Sequence, residues 1–239
     1  MDCVREASRT APQARTALGA PLSQARPVVT YTLIGLSVVS FLLQLTLGSG
    51  RDNPWTSALI YAPFLGEVEP WRMLTTAFLH DSRMLLHIGF NMYALWIVGQ
   101  SLEPMLGRWR FIALYLVSAL GGSVMVTLLA SPTDVRWITG VVGASGAVFG
   151  LFGAILVVLR RMGRSAQPIV AILLINGVLG FVVPNIAWEA HLGGLLVGGL
   201  LGFAYAYAPR TRRLEVGIAA TVGVVLLLLL VTALRFAAI

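Results

Sequence analysis

Seven stretches of mostly apolar residues divide this chain, at 28–47, 85–102, 111–129, 141–159, 168–183, 187–208 and 216–234. A helix needs about 20 such residues to cross the roughly 30 Å of hydrocarbon in a bilayer, and each stretch comes close to that length. The breaks are abrupt: Gly48-Ser49-Gly50 ends the first run, Arg160-Arg161 the fourth, and Pro184 follows the fifth. The pattern predicts an all-α, polytopic membrane helical bundle with seven transmembrane helices. Residues 1–27 are polar, with Pro12, Pro21 and Pro27 and no apolar stripe of helical period, and predict a flexible tail. Residues 51–84 mix Trp55, Tyr61, Phe64 and Trp71 with Asp52, Glu67, Glu69 and Arg72. Aromatic rings among charges suit the headgroup zone, so this stretch predicts a folded interfacial loop. The seventh run has no polar residue beyond Thr221 and Thr232 and predicts a plain lipid-facing helix.

Composition agrees: 57% of residues are hydrophobic and 11% charged, where a soluble domain carries about 25% charged residues. In a soluble protein the net charge of +7 would suggest a nucleic-acid partner. Here all seventeen basic residues are arginines, and most flank apolar runs as membrane topology requires. With the N-terminus in the cytoplasm, twelve arginines fall inside and five (Arg51, Arg72, Arg83, Arg136 and Arg235) outside. The positive-inside rule therefore orients the chain with its N-terminus in the cytoplasm and its C-terminus outside, in the cell membrane. The single cysteine, Cys3, supports neither an internal disulfide nor a multi-cysteine metal site. With no carboxylate pair in the runs either, no metal or other cofactor is expected. The first thirty residues lack the short apolar core of a removable signal peptide.

In this orientation the second, fourth and sixth runs descend from the outer face, each with polar residues near its start. Ser145 lies about 22 Å above Arg160, and His191 about 28 Å above Arg210, at about 1.5 Å per residue. His87 and Asn91 fall at the same outer level. Taken alone, each histidine reads as an imidazole hydrogen-bonded between helices, and Ser145 as a small packing residue. The shared depth and the glycines change that reading. Gly194, Gly198 and Gly202 form one smooth helical stripe with His191 just before it, and Gly143, Gly146, Ala147, Gly150 and Gly153 give the fourth run a small face of its own. If these faces pack, a serine nucleophile and a histidine base can meet. His87 and Asn91, spaced i and i+4, share a helix face and can both donate hydrogen bonds to an oxyanion.

The motifs Trp71-Arg72, His87-x-x-x-Asn91, Gly143-Ala144-Ser145-Gly146 and Ala190-His191-x-x-Gly194-x-x-x-Gly198 resemble those of the rhomboid intramembrane serine proteases, in the form with six core spans and one added C-terminal span. The resemblance covers about 28–208, leaving residues 1–27 as a cytoplasmic tail and 209–239 as a linker with the additional helix. It implies that Ser145 is the nucleophile, His191 the general base, and His87 with Asn91 the oxyanion donors. It further implies that Trp71-Arg72 shapes the first loop. Phe149 stands where some relatives have a tyrosine stacked on the catalytic histidine, and keeps the ring. Some relatives carry an N-terminal zinc ribbon, of which Cys3 alone could be a remnant, so no zinc site is expected. Glu189 and Asp134 are not placed to complete a triad, and the pair reads as a Ser-His dyad. The implied partners are transmembrane protein substrates within the lipid bilayer. The alternative readings are a rhomboid-like pseudoprotease that binds membrane clients without cutting them, and a small transporter or channel. The first should have lost its serine or histidine; the second should carry polar residues at several depths.

Overall fold

The computed structural model describes residues 15–22, 26–48, 52–183 and 186–239. Its helices are α1 (Val28–Thr46), α2 (Pro54–Leu59), α3 (Arg72–Thr75), α4 (Leu85–Leu106), α5 (Arg108–Leu129), α6 (Ser145–Arg161), α7 (Gln167–Val182), α8 (Trp188–Tyr207) and α9 (Arg213–Ala237). Each of the seven apolar runs forms one helix, and α2 and α3 lie in the first loop. Four helices, α1, α5, α8 and α9, are long and apolar enough to cross a membrane on length and composition alone. The described residues contain no β-sheet, only the isolated bridges Arg15–Pro21 and Tyr61–Val141.

Small residues set the centre of the bundle. On α8, a Cβ at Gly194 would collide with the carbonyl of Gly146, one at Gly198 with Gly150, and one at Gly202 would come 2.6 Å from Ala154 Cα. Both series rise together by four residues, so α6 and α8 run parallel with their glycine faces interlocked. Helix α5 crosses both in the opposite sense, with Gly122 against Gly146 and Ala190, and Gly121 against Gly193. Without Cβ atoms the backbones approach closely, and dispersion and lipid release hold them where the hydrophobic effect cannot.

The outer helices are fastened by polar contacts. Pro27 gives α1 no side-chain cap. The fully buried Glu103 of α4 supplies one, accepting the N–H of Val29 (2.9 Å) and of Thr30 (2.7 Å) and the Thr30 hydroxyl (2.7 Å). A carboxylate suits the positive end of a helix. The α4–α5 connection is the single residue Gly107, whose φ of 84° favours glycine.

Two expectations change. Part of the predicted flexible tail is a docked turn. Leu18 and Ala20 are buried, the Thr16 hydroxyl donates to Met105 O (2.9 Å), and Arg110 and Arg213 donate to the carbonyls of Leu18 (2.9 Å) and Ala17 (2.7 Å). Residues 1–14 and 23–25 lie outside the described residues. Nor is α9 a plain lipid-facing helix. Leu226, Leu227, Leu229 and Leu230 are exposed as expected, but Thr221 bonds the Tyr205 hydroxyl (2.6 Å) near one end, and Arg235 donates to Ala130 O (2.7 Å) at the other.

Candidate active site

The segment before Ser145 is extended, although its sequence is apolar enough to continue a helix. Val141 N–H donates to Tyr61 O (2.7 Å), the Thr76 hydroxyl donates to Val141 O, and Gly143 N–H donates to Thr76 O (3.2 Å). Gly143 then turns with φ 131°, in the region that favours glycine. Helix α6 therefore starts at Ser145 and not at Val141, as the run 141–159 predicts. The first N–H groups of a helix have no intrahelical partner, and the helix dipole is positive there. Ser145 thus stands beside free donors and a positive potential.

The glycine interlock fixes what faces it. The carbonyl of Ala190 lies 3.3 Å from where a Cβ of Gly146 would be. Ser145 and His191 are the chain neighbours of those two residues, so they flank one contact between α6 and α8. The His191 ring stacks on Phe149, one turn below Ser145, with centroids 4.1 Å apart and planes within 7°. No hydrogen bond joins Ser145 Oγ to the His191 ring among the described residues.

From α4, His87 reaches the same place. A Cβ at Gly143 would lie 3.0 Å from His87 Nε2 and 3.6 Å from Ser145 Oγ. His87 Nδ1 accepts the N–H of Asp81 (3.2 Å). That bond assigns the ring proton to Nε2, the nitrogen facing Gly143 and Ser145. Asn91 is buried, and its amide donates to His87 O (2.9 Å), leaving one N–H free. That second hydrogen is the one Asn91 can offer to a ligand.

Trp71 is exposed on the first loop. Arg72 binds the Glu69 carboxylate, Ser57 O and, at 3.1 Å, Ile60 O, so its contacts tie the loop together. No carboxylate bonds His191 among the described residues. Glu189 pairs instead with Arg136 (3.3 Å), which also grips Asp134 (2.7 Å) and holds that carboxyl below the usual carboxylate range by hydrogen bonding.

A helical bundle with a serine at a helix N-terminus, an imidazole stacked one turn below and a second imidazole across from it now meets one comparison that decides its ancestry. The model of the Rhomboid domain matches residues 67–208. The chain belongs to the rhomboid family. It is accordingly a multi-pass membrane protein. It is 35% identical over 196 residues to rhomboid protease GluP of Bacillus subtilis (strain 168), covering 77% of this chain and 36% of GluP. Over 151 residues it is 36% identical to RHOMBOID-like protein 5 of Arabidopsis thaliana, covering 60% of this chain and 47% of that protein. Rhomboid protease AarA of Providencia stuartii is 26% identical over 216 residues, 77% of this chain and 75% of AarA. The chain thus spans less than half the length of the first two.

One residue of this rhomboid's site escaped the sequence reading. His80, in the first loop, is 1% exposed and meets the His87 ring edge-on at 5.3 Å. Gln44 of α1 clamps its backbone, accepting His80 N–H (2.9 Å) and donating to His80 O (2.9 Å). Among the described residues neither ring nitrogen has a partner. Burial, with His87 adding to it, pushes the His80 pKa from 6.5 down to about 3. The folded protein therefore holds His80 neutral, while the unfolded chain takes up a proton below 6.5. Stability is lost as pH falls from that value toward the folded pKa. We expect His80→Phe, which cannot titrate, to lose less thermal stability than the parent between neutral pH and about pH 4.5. Equal losses in the two proteins would contradict a buried neutral His80.

Proposed function

We propose that this rhomboid is an intramembrane serine endopeptidase that hydrolyses peptide bonds in or near transmembrane segments of other membrane proteins with a Ser145–His191 dyad. The observation that carries the reading is the contact of Ala190 O with Gly146 beside the Phe149–His191 stack, which sets hydroxyl and imidazole on either side of one helix contact. Ser145 Oγ attacks the scissile carbonyl while His191 takes its proton. The C–N bond then breaks, His191 passes the proton to the leaving amine, and water hydrolyses the resulting acyl-enzyme by the same path in reverse. Negative charge on the tetrahedral oxygen meets the Ser145 N–H, the His87 Nε2–H and the remaining Asn91 N–H. Each such donor is worth about 2.7–4 kcal/mol in the transition state.

In this reading all seven long helices cross the cell membrane, the N-terminus is cytoplasmic, and the site opens near the outer face. Residues 28–208 form the protease core, and 209–239 add the linker and last helix. A substrate helix must unwind before its carbonyl can be attacked, since that oxygen is engaged in its own ladder. Substrates with Gly, Pro or Ser near the cleavage point are favoured for that reason. The chemistry calls for no metal or cofactor. The test is to incubate the purified full chain in liposomes with single-span model substrates that carry or lack such residues. The reading expects one cut, mapped by fragment mass to the outer part of the span, and faster for the helix-weakened substrate. Binding without any cut would favour the pseudoprotease.

A further inference from the structure

The outer end of α9 touches both segments that frame the site. Arg235 Nη2 donates to Ala130 O (2.7 Å) and Nε to Thr127 O (3.4 Å), so one guanidinium holds the carbonyl end of α5, where a cation also suits the helix dipole. The same guanidinium lies 5.9 Å from the ring of Trp137, in the loop leading to Ser145. Phe236 meets Trp137 edge-on at 6.2 Å. On its other side Phe236 closes over the first loop, where a Cβ at Gly66 would lie 2.8 Å from its ring and 2.8 Å from the Tyr61 hydroxyl.

These contacts belong to one small cluster. Tyr61, Met73, Leu120 and Val124 are its buried members, and Leu128, Val141, Leu228 and Phe236 pack against them. Tyr61 and Val141 are also the two residues of the bridge that keeps the chain extended before Gly143. Val141 is two residues before Gly143, and Gly143 is where His87 Nε2 and Ser145 Oγ converge. The last turn of α9, with Leu228 two turns before it, therefore buttresses the bridge that presents the nucleophile. From this geometry we infer that Arg235 and Phe236 are positioning residues for Ser145, acting through Trp137 and the Tyr61–Val141 bridge. The added helix is then part of the reaction apparatus and not a passive anchor. This inference rests on the serine-protease reading of Ser145.

The test uses the full chain in liposomes and two readouts, substrate cleavage and hydrogen exchange of the Val141 and Gly143 amides. Arg235→Ala and Phe236→Ala should each speed exchange of those amides about tenfold or more, leaving the α6–α8 core protected. Each should lower kcat about tenfold with KM within about twofold, the pattern of a misplaced catalytic group. Phe236→Leu keeps the apolar bulk, so it folds if the alanine variant does not, and should show the same changes in smaller measure. Arg235→Lys keeps the charge but loses the two-carbonyl grip, and should restore part of kcat. Thr221→Val, which breaks the bond at the opposite end of α9, should leave kcat unchanged. Unchanged exchange and kcat in both outer-end variants would overturn the inference, and so would an equal kcat loss in Thr221→Val. If the parent cuts nothing, the protease reading fails by itself, and the exchange data still decide whether the outer end of α9 holds the bridge.

Discussion

Ser145→Ala and His191→Ala are each expected to cut a model transmembrane substrate at least about 1,000-fold more slowly than the parent, with the double variant hardly worse than either. The non-additivity follows from mechanism: without the hydroxyl there is nothing to deprotonate, and without the imidazole the hydroxyl stays a poor nucleophile. Neither change should disturb the fold. Both side chains are only partly buried, and the contacts around them are made by Gly146, Ala190 and Phe149. The alanine variants should therefore unfold within about 1 kcal/mol of the parent, as surface-like truncations do. A His191→Ala variant that cuts as fast as the parent would leave the dyad without its base.

The second large effect separates two adjacent glycines. Gly198→Ala would drive a methyl into the backbone of Gly150 and force α8 away from α6. Overpacking of this kind costs about 1–3 kcal/mol, and here backbone opposes backbone with no flexible side chain to yield, so the upper end is expected. Gly199→Ala meets nothing within 4 Å among the described residues. It should gain the helix propensity that glycine lacks, about 0.5–1 kcal/mol. Thermal unfolding of the two variants in detergent should thus move in opposite directions from the parent, and only Gly198→Ala should also lose cleavage. If both shift alike, the α6–α8 interlock is not what holds the site.

The sequence reading located the partners better than their settings. The spacing of Gly194, Gly198 and Gly202 against Gly146 and Gly150 announced the interlock, because a four-residue repeat of small residues has little other use between helices. His87-x-x-x-Asn91 announced a shared face for the same geometric reason. The start of α6 was not legible, since Val141 and its neighbours are as apolar as any helical residue. Their extended form depends on Tyr61 and Thr76, some seventy residues upstream. His80 was missed because it lies outside every apolar run, and only the loop fold brings it against His87. The i, i+4 spacing offers the Asn91 amide as a donor but does not show that it gives one hydrogen to its own helix. The setting of the last helix is hidden for a related reason: in the sequence Arg235 is only a topological charge, and nothing local links it to Ala130 or Trp137.

The central claim is that Ser145 is an activated nucleophile. A fluorophosphonate probe tests it without any knowledge of the substrate: the serine oxygen bonds phosphorus as fluoride leaves, and this is fast only where a base and oxyanion donors already stand. The account predicts that the full chain in detergent is labelled on Ser145, that Ser145→Ala takes up no label, and that His191→Ala is labelled far more slowly. Undiminished labelling of Ser145→Ala, or a parent protein left unlabelled while a known serine hydrolase in the same sample reacts, would contradict it.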